Sequence, residues 1–268
     1  MSRLRLAVLG AIALPATLAA ANPVIPSAAE LITGIAPQDD AVPAGEAEEK
    51  SPWTGSIGGG LTYTDTGSVT TGLNIAASAV RKDLLSTWTT SFKYIYNKDD
   101  GEVKDNFGII QSEYDRLLGE GSPWNWFVLG SYQHNGTEAY RDRAKGYGGF
   151  GYRISNTETL TWNVKAGVGA TWDRLGTEAG WAARSIIGTS ATWLITEGVN
   201  FTGSTQIENE FEAFESYLLV TELRVDVALK AMDNLGLYLT LRDEYDSTPG
   251  VGDVYNSLWL TIGAAYSF

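Results

Sequence analysis

Cysteine is absent from this chain of 268 residues, and histidine occurs once, as His134. Without thiols there is no disulfide scaffold, no thiolate metal site and no thiol nucleophile. Long apolar runs are also missing after the first twenty residues, and the mean hydropathy is −0.10. A helical membrane protein needs several spans of about 20 apolar residues, so that class is excluded. Positive charge is scarce: 19 Lys and Arg stand against 32 Asp and Glu, a formal charge of −13. The basic stripe that phosphate binding needs is lacking, which removes nucleic acid as a partner.

The one apolar run is at the start, MSRLRLAVLGAIALPATLAAANP. Arg3 and Arg5 precede an apolar stretch from Leu6 to Leu18, broken at Pro15, and then come Ala19, Ala20 and Ala21. A basic segment, a short apolar segment and an A-x-A site are the pattern of a secretory signal, so residues 1–21 are expected to be removed on export. Loss of Arg3 and Arg5 would take the charge from −13 to −15. A cysteine-free composition suits a chain that crosses an oxidising periplasm unfolded. Residues 22–52 are rich in Ala, Pro and acids and lack alternation. They are expected to form a flexible acidic periplasmic tail, in which Asp39, Asp40, Glu46, Glu48 and Glu49 serve solvation.

From Trp53 the hydrophobic period becomes two. Ile57, Leu61 and Tyr63 oppose Ser56, Gly58, Gly60, Thr62 and Thr64. Leu160, Trp162, Val164, Ala166 and Val168 oppose Thr161, Asn163, Lys165 and Gly167. Leu235, Leu237, Leu239 and Leu241 oppose Tyr238, Thr240, Arg242 and Glu244. Twelve such strands are predicted, near 55–65, 68–80, 86–97, 103–117, 124–134, 143–154, 158–172, 180–195, 200–210, 216–229, 234–246 and 254–268. The fourth is irregular, because alternation breaks at Ile109-Ile110. A spanning strand needs about 9–11 residues, which leaves a turn or loop within each repeat.

A soluble sandwich or ligand-binding barrel also alternates, with its apolar face inward. Here the polar face consists of Gly, Ser, Thr and Asn with charges in mid-strand, as in a wet lumen. Trp and Tyr cluster near strand ends (Trp88, Tyr96, Trp124, Tyr132, Trp172, Trp193, Tyr245), as aromatic girdles do. The expectation is therefore an all-β fold: a closed antiparallel transmembrane barrel over residues 53–268, with short periplasmic turns and longer external loops, in the Gram-negative outer membrane. Leu258, Leu260, Ile262, Ala264, Tyr266 and Phe268 form one apolar row on the last strand, which is expected to close the barrel onto the first.

The segments SPWTGSIGGGLTYT, YGGFGYRI and LRDEYDSTPG and the closing YSF resemble the YdiY-like, salt-induced outer-membrane proteins. The likeness spans residues 53–268. Trp53-Thr54-Gly55, the glycines Gly58 to Gly60, and Tyr245, Asp246, Ser247 and Pro249 carry it. That family has no established activity, so the resemblance implies place and fold and transfers no catalytic residue. The aromatic pair Tyr266 and Phe268 also resembles the signal read by the outer-membrane assembly machinery.

Placing the less apolar parity inward puts Arg143, Lys145 and Arg153 on strand six, Lys165 on strand seven and Glu208 on strand nine. It also puts Glu222, Arg224 and Asp226 on strand ten, and Arg242 and Glu244 on strand eleven. Such charges either sort ions in a pore or pair across the lumen and plug it. Twelve strands enclose less than the 16–18 of open porins.

Enzymatic patterns are weak. His134 lies at a strand end, and Ser131, three residues away, has the opposite parity. Asp243 and Glu244 likewise point to opposite sides. Gly146 to Gly151 match G-x-G-x-x-G but fall within a strand rather than between a strand and a helix.

No catalytic residue, cofactor or metal is expected. The expected role is a small passive pore or envelope-structural barrel, with salt or osmotic stress implied by the family's name. A lipid-modifying outer-membrane hydrolase and a soluble ligand-binding barrel are the alternatives. The expected partners are membrane lipid, lipopolysaccharide and the assembly machinery, for a monomeric protein.

Overall fold

The computed structural model describes residues 52–65, 69–99, 102–136, 140–175, 178–229, 231–232, 234–249 and 254–268. The expected signal and nearly all of the expected tail lie outside the described residues.

Twelve antiparallel strands close into one barrel. They are β1 (Trp53–Asp65), β2 (Val69–Lys82), β3 (Ser86–Asp99), β4 (Glu102–Leu117), β5 (Trp124–Asn135), β6 (Tyr140–Asn156), β7 (Leu160–Leu175), β8 (Glu178–Thr196), β9 (Val199–Glu210), β10 (Tyr217–Ala228), β11 (Leu235–Asp246) and β12 (Asn256–Ser267). Each pairs with its sequence neighbours, and β1 pairs with β12 from Ser56↔Ser267 to Asp65↔Leu258. Two backbone bonds of 2.9 Å between Gly55 and Phe268 finish the seam. No sheet edge is left, which is the condition for strands to lie in hydrocarbon.

The parity read from sequence places the apolar rows outside. Ile57, Leu61, Leu73, Ile75, Val168, Leu239 and Ile262 are all exposed on the outer wall. β4 is regular over most of its length despite the Ile109-Ile110 break. Ile110 faces outward with its neighbours, whereas Ile109 lines the interior cavity. An apolar residue on the lumen side therefore hid the alternation.

Aromatic rings ring both rims. At the end holding Trp53 and Phe268, Trp53 meets Trp88 at 5.8 Å, Tyr114 meets Trp126 at 5.4 Å and Trp124 meets Tyr152 at 4.8 Å. At the opposite end Tyr245 lies between Tyr217 and Tyr255. The indole N–H groups of Trp88 and Trp162 donate to Ser112 and Thr189 on neighbouring strands, at 2.8 and 2.9 Å. These bonds satisfy a polar tip on a greasy surface.

Connections at the Trp53 end range from the two residues 197–198 to the six of 118–123 and 229–234, and Gly121 (φ 71°), Gly198 (φ 80°) and Asn234 (φ 65°) adopt the left-handed conformation there. At the other end the longest connections are Phe211–Ser216 and 247–255. Part of the length expected as loop is strand: β6, β7 and β8 run for 17, 16 and 19 residues.

The outer wall yields a direct test. Ile262 lies mid-strand between Leu61 and Leu239. Ile262→Arg is expected to lower stability by about 2–4 kcal/mol in lipid vesicles. Urea-dependent refolding would measure this, and an unchanged midpoint would contradict the lipid-facing assignment.

Candidate functional site

The inner wall is polar at the β1–β12 seam and charged elsewhere. Around the seam, hydroxyl and amide groups satisfy one another. Ser56 meets Ser78 at 2.8 Å, Thr62 meets Thr261 at 3.0 Å, Asn74 donates to Thr62 at 2.9 Å and Tyr238 donates to Asn74 at 3.0 Å. On the other side a small apolar cluster of Phe127, Leu129, Tyr147 and Ile186 is buried. The glycines of β7 make space for it: a Cβ on Gly167 would come within 3.0 Å of the Phe127 ring.

Most of the lumen charges form bridges. Lys145 on β6 reaches Glu208 on β9, donating to its two oxygens at 2.9 and 2.8 Å. Tyr147 and Gln206 donate to the same carboxylate at 2.8 and 2.9 Å. Lys165 on β7 reaches Glu113 on β4, with both N–O distances 2.9 Å, and lies 5.2 Å from the Phe127 ring centre. Both bridges join strands three apart, so they cross the lumen rather than follow its wall.

The remaining pairs are local. Arg143 donates to Asp173 at 2.6 Å on the adjacent strand. Arg224 is forked onto Asp226, two residues along β10, and lies 4.2 Å from the Tyr238 ring centre. Arg242 donates to Glu244 at 2.9 Å and stands 3.6 Å from Glu222. Arg153 is half-buried, low on β6, away from the cavity.

Between these layers a cavity holds about 100 Å³ of space for water centres, several times the roughly 10–15 Å³ one water needs. Lys145, Lys165, Glu208, Glu222, Arg242 and Glu244 are among the residues that line it. Toward the Trp53 end the lumen is filled. Val80, Thr89, Glu113, Phe127, Thr202 and Asp226 are all at most 2 % exposed. Toward the other end Phe107 and Trp259 approach to 6.5 Å across the lumen.

Several lumen charges escaped the sequence reading: Lys93 on β3, Glu113 and Asp115 on β4, Asp173, Arg184 and Glu210. Lys93 shares parity with Ser91, which would have located it. The β4 carboxylates were masked by the Ile109-Ile110 break. Which charges would pair was not readable, because partners three strands apart are set by the stagger of the closed barrel.

His134 has a partner that sequence did not reveal. Its Nδ1 lies 2.9 Å from Asp142, which also accepts from Tyr132 at 2.6 Å and pairs with Arg174. His134 is on the outer wall and Ser131 lines the cavity, so the barrel wall separates them. Among the described residues no group of three or more His, Asp or Glu is placed to hold a metal ion.

Removing one partner of a buried pair leaves the other charge uncompensated. Glu113→Ala is expected to cost about 3–5 kcal/mol, read as a lower urea midpoint for refolding into vesicles. Joint replacement of Glu113 and Lys165 by Met is expected to recover most of that loss. Equal costs for the single and double variants would contradict the pairing.

The fold is shared with solved outer-membrane barrels. The NanC porin is 10 % identical, with 80 % of this chain and 98 % of that chain covered and a TM-score of 0.52. The translocator domain of the autotransporter NalP from Neisseria meningitidis is 8 % identical, with 82 % and 90 % covered and a TM-score of 0.53. Identities this low speak for the fold alone. No curated protein matches the sequence. Residues 57–268 match the family described as "Protein of unknown function, DUF481", and the chain belongs to that family.

Proposed function

We propose that this protein is a passive barrel of the Gram-negative outer membrane, whose lumen passes water and small ions and excludes sugar-sized solutes. The observation that carries the reading is the stacking of a charged cavity, with space for several waters, on a packed floor in which Glu113, Phe127 and Asp226 are at most 2 % exposed. A floor filled to that degree has no room for a hydrated sugar, and in this reading water and small ions pass between its side chains as they move. The fold shared with porins supports the place. In this reading the end holding Trp53 and Phe268 faces the periplasm, together with the acidic segment 22–52. The signal at 1–21 directs export, Tyr266 and Phe268 address the assembly machinery, and the aromatic rims seat the monomer among lipid and lipopolysaccharide. A role in salt or osmotic stress follows the family resemblance.

The same packed floor also fits an envelope-structural barrel without conductance, and one measurement separates the two. In planar bilayers the refolded protein is expected to give small steps, at most about a tenth of those of a sixteen-stranded porin. Vesicles carrying it are expected not to swell in a disaccharide. Replacing Glu113 and Lys165 together by Ala opens the floor and is expected to enlarge the steps. Silence from folded protein favours the structural barrel, and rapid disaccharide entry overturns both.

A further inference from the structure

The outer wall carries a polar cluster on β5, β6 and β7, toward the end away from Trp53. His134, Asp142 and Arg174 stand side by side in register, on the same face as the exposed ring of Tyr132. Asp142 is the centre. It meets His134 and Tyr132 through one oxygen and Arg174 through the other, and its side chain is 6 % exposed, against 47 % for His134 and 46 % for Arg174. The carboxylate is thus engaged and covered. The charge of Arg174 is balanced, but its hydrogen bonding is not exhausted. A guanidinium has five N–H donors, and among the described residues Asp142 is the sole partner of this one.

Neighbours fix the depth of the cluster. One register step nearer mid-strand, Tyr132, Ala144, Trp172 and Trp181 lie in a row. Tyr and Trp settle at the headgroup level of a bilayer, and Arg174 stands about 7 Å further along its strand. That is the level of lipid phosphates.

On the other side of that row the wall is bare. Ala144, Gly146 and Gly148 follow one another down β6, between Tyr132 and Val128 on β5 and Trp172 and Val168 on β7. Glycine weakens a strand, so each one needs a reason. On the lumen side the reason is crowding: a Cβ on Gly149 or Gly169 would come within 2.2 Å of a backbone oxygen on the paired strand. On the lipid side that reason is missing. A Cβ on Gly146 would meet nothing within 4 Å, and one on Gly148 would meet an oxygen at 3.7 Å. The fold has room for side chains at both positions, and neither is filled.

We propose that this wall holds one lipid of the outer leaflet, with its phosphate on Arg174 and an acyl chain in the β6 furrow. Nδ1 of His134 is committed to Asp142, so its Nε2 is left to meet the headgroup. From Ala144 to Phe150, which closes it, the furrow runs about 20 Å, enough for the roughly 15 Å of hydrocarbon in one leaflet. The site rests on the outer-membrane reading and is independent of whether the lumen conducts.

The refolded barrel in neutral detergent, titrated with short-chain phosphatidic acid and followed by native mass spectrometry, is expected to retain one lipid after the detergent is stripped. Diacylglycerol and inorganic phosphate are expected to be lost, the first for want of the phosphate and the second for want of the chain. Arg174→Gln is expected to weaken phosphatidic acid binding about tenfold. Gly146→Leu, which fills the furrow, is expected to weaken it to a similar degree. Heat-modifiable gel mobility confirms that each variant is folded.

Equal retention of diacylglycerol, inorganic phosphate binding as tight as that of the lipid, or lipid binding untouched by either substitution overturns the site. A barrel that enters vesicles yet retains no phosphatidic acid removes the lipid site alone. One that dissolves without detergent and stays out of vesicles removes the outer-membrane reading with it.

Discussion

Every backbone N–H and C=O that lies in hydrocarbon must find its partner within the protein, because no water is there to supply one. Pairing β12 with β1 meets that demand in this chain, and the rest of the architecture follows from it. Once the ring is closed, the twelve strands fix its width. Side chains then divide by parity into those that meet lipid and those that share a narrow interior. The apolar rows outside are a solvation requirement. The interior is the part in which sequence had freedom, and it was filled with charge rather than left empty.

Charge in a confined interior is expensive unless each group finds a partner. Glu208 shows how far this is carried: an ammonium, a phenol and an amide all donate to one carboxylate. Glu113 and Lys165 are held as tightly, against the ring of Phe127. These bridges tie together strands that are not neighbours, so they brace the barrel against flattening as well as narrowing it. Bracing and narrowing thus arise from the same contacts, and a wider lumen would need the bracing to be given up.

Much of this was legible in the sequence. Alternation from Trp53 onward located twelve strands, and the rows of Leu, Val and Ile identified the lipid face, because a strand in a membrane wall has one side for each solvent. Even the irregular fourth segment was locatable, although Ile109 blurred its parity. Less could be read of the lumen. A sequence assigns Lys145 and Glu208 to the interior, yet their meeting depends on tilt and stagger that only closure sets. Local pairs such as Arg224 with Asp226 were within reach, being two residues apart on one face of a strand. The Asp142 partner of His134 was not, since it depends on the hairpin that folds β6 back along β5.

Why the interior is ionic rather than apolar can be argued from register. A strand shifted by one residue exchanges its two faces. If the lumen were lined with Leu and Val, such a slip would cost little, because either face would suit lipid. With Lys165, Glu208, Glu222 and Arg242 inside, a slipped strand would carry a charge into hydrocarbon, at about 2–4 kcal/mol for each Lys or Arg near the midplane. A bridge between strands forms in only one register, since Lys145 reaches Glu208 only when β6 to β9 are all correctly aligned. Buried pairs are weak contributors to net stability, but they make the wrong alignments much worse than the right one. In a barrel whose outer wall is greasy along its whole circumference, the lumen charges, with the hydroxyl and amide groups of the β1–β12 seam, distinguish inside from outside.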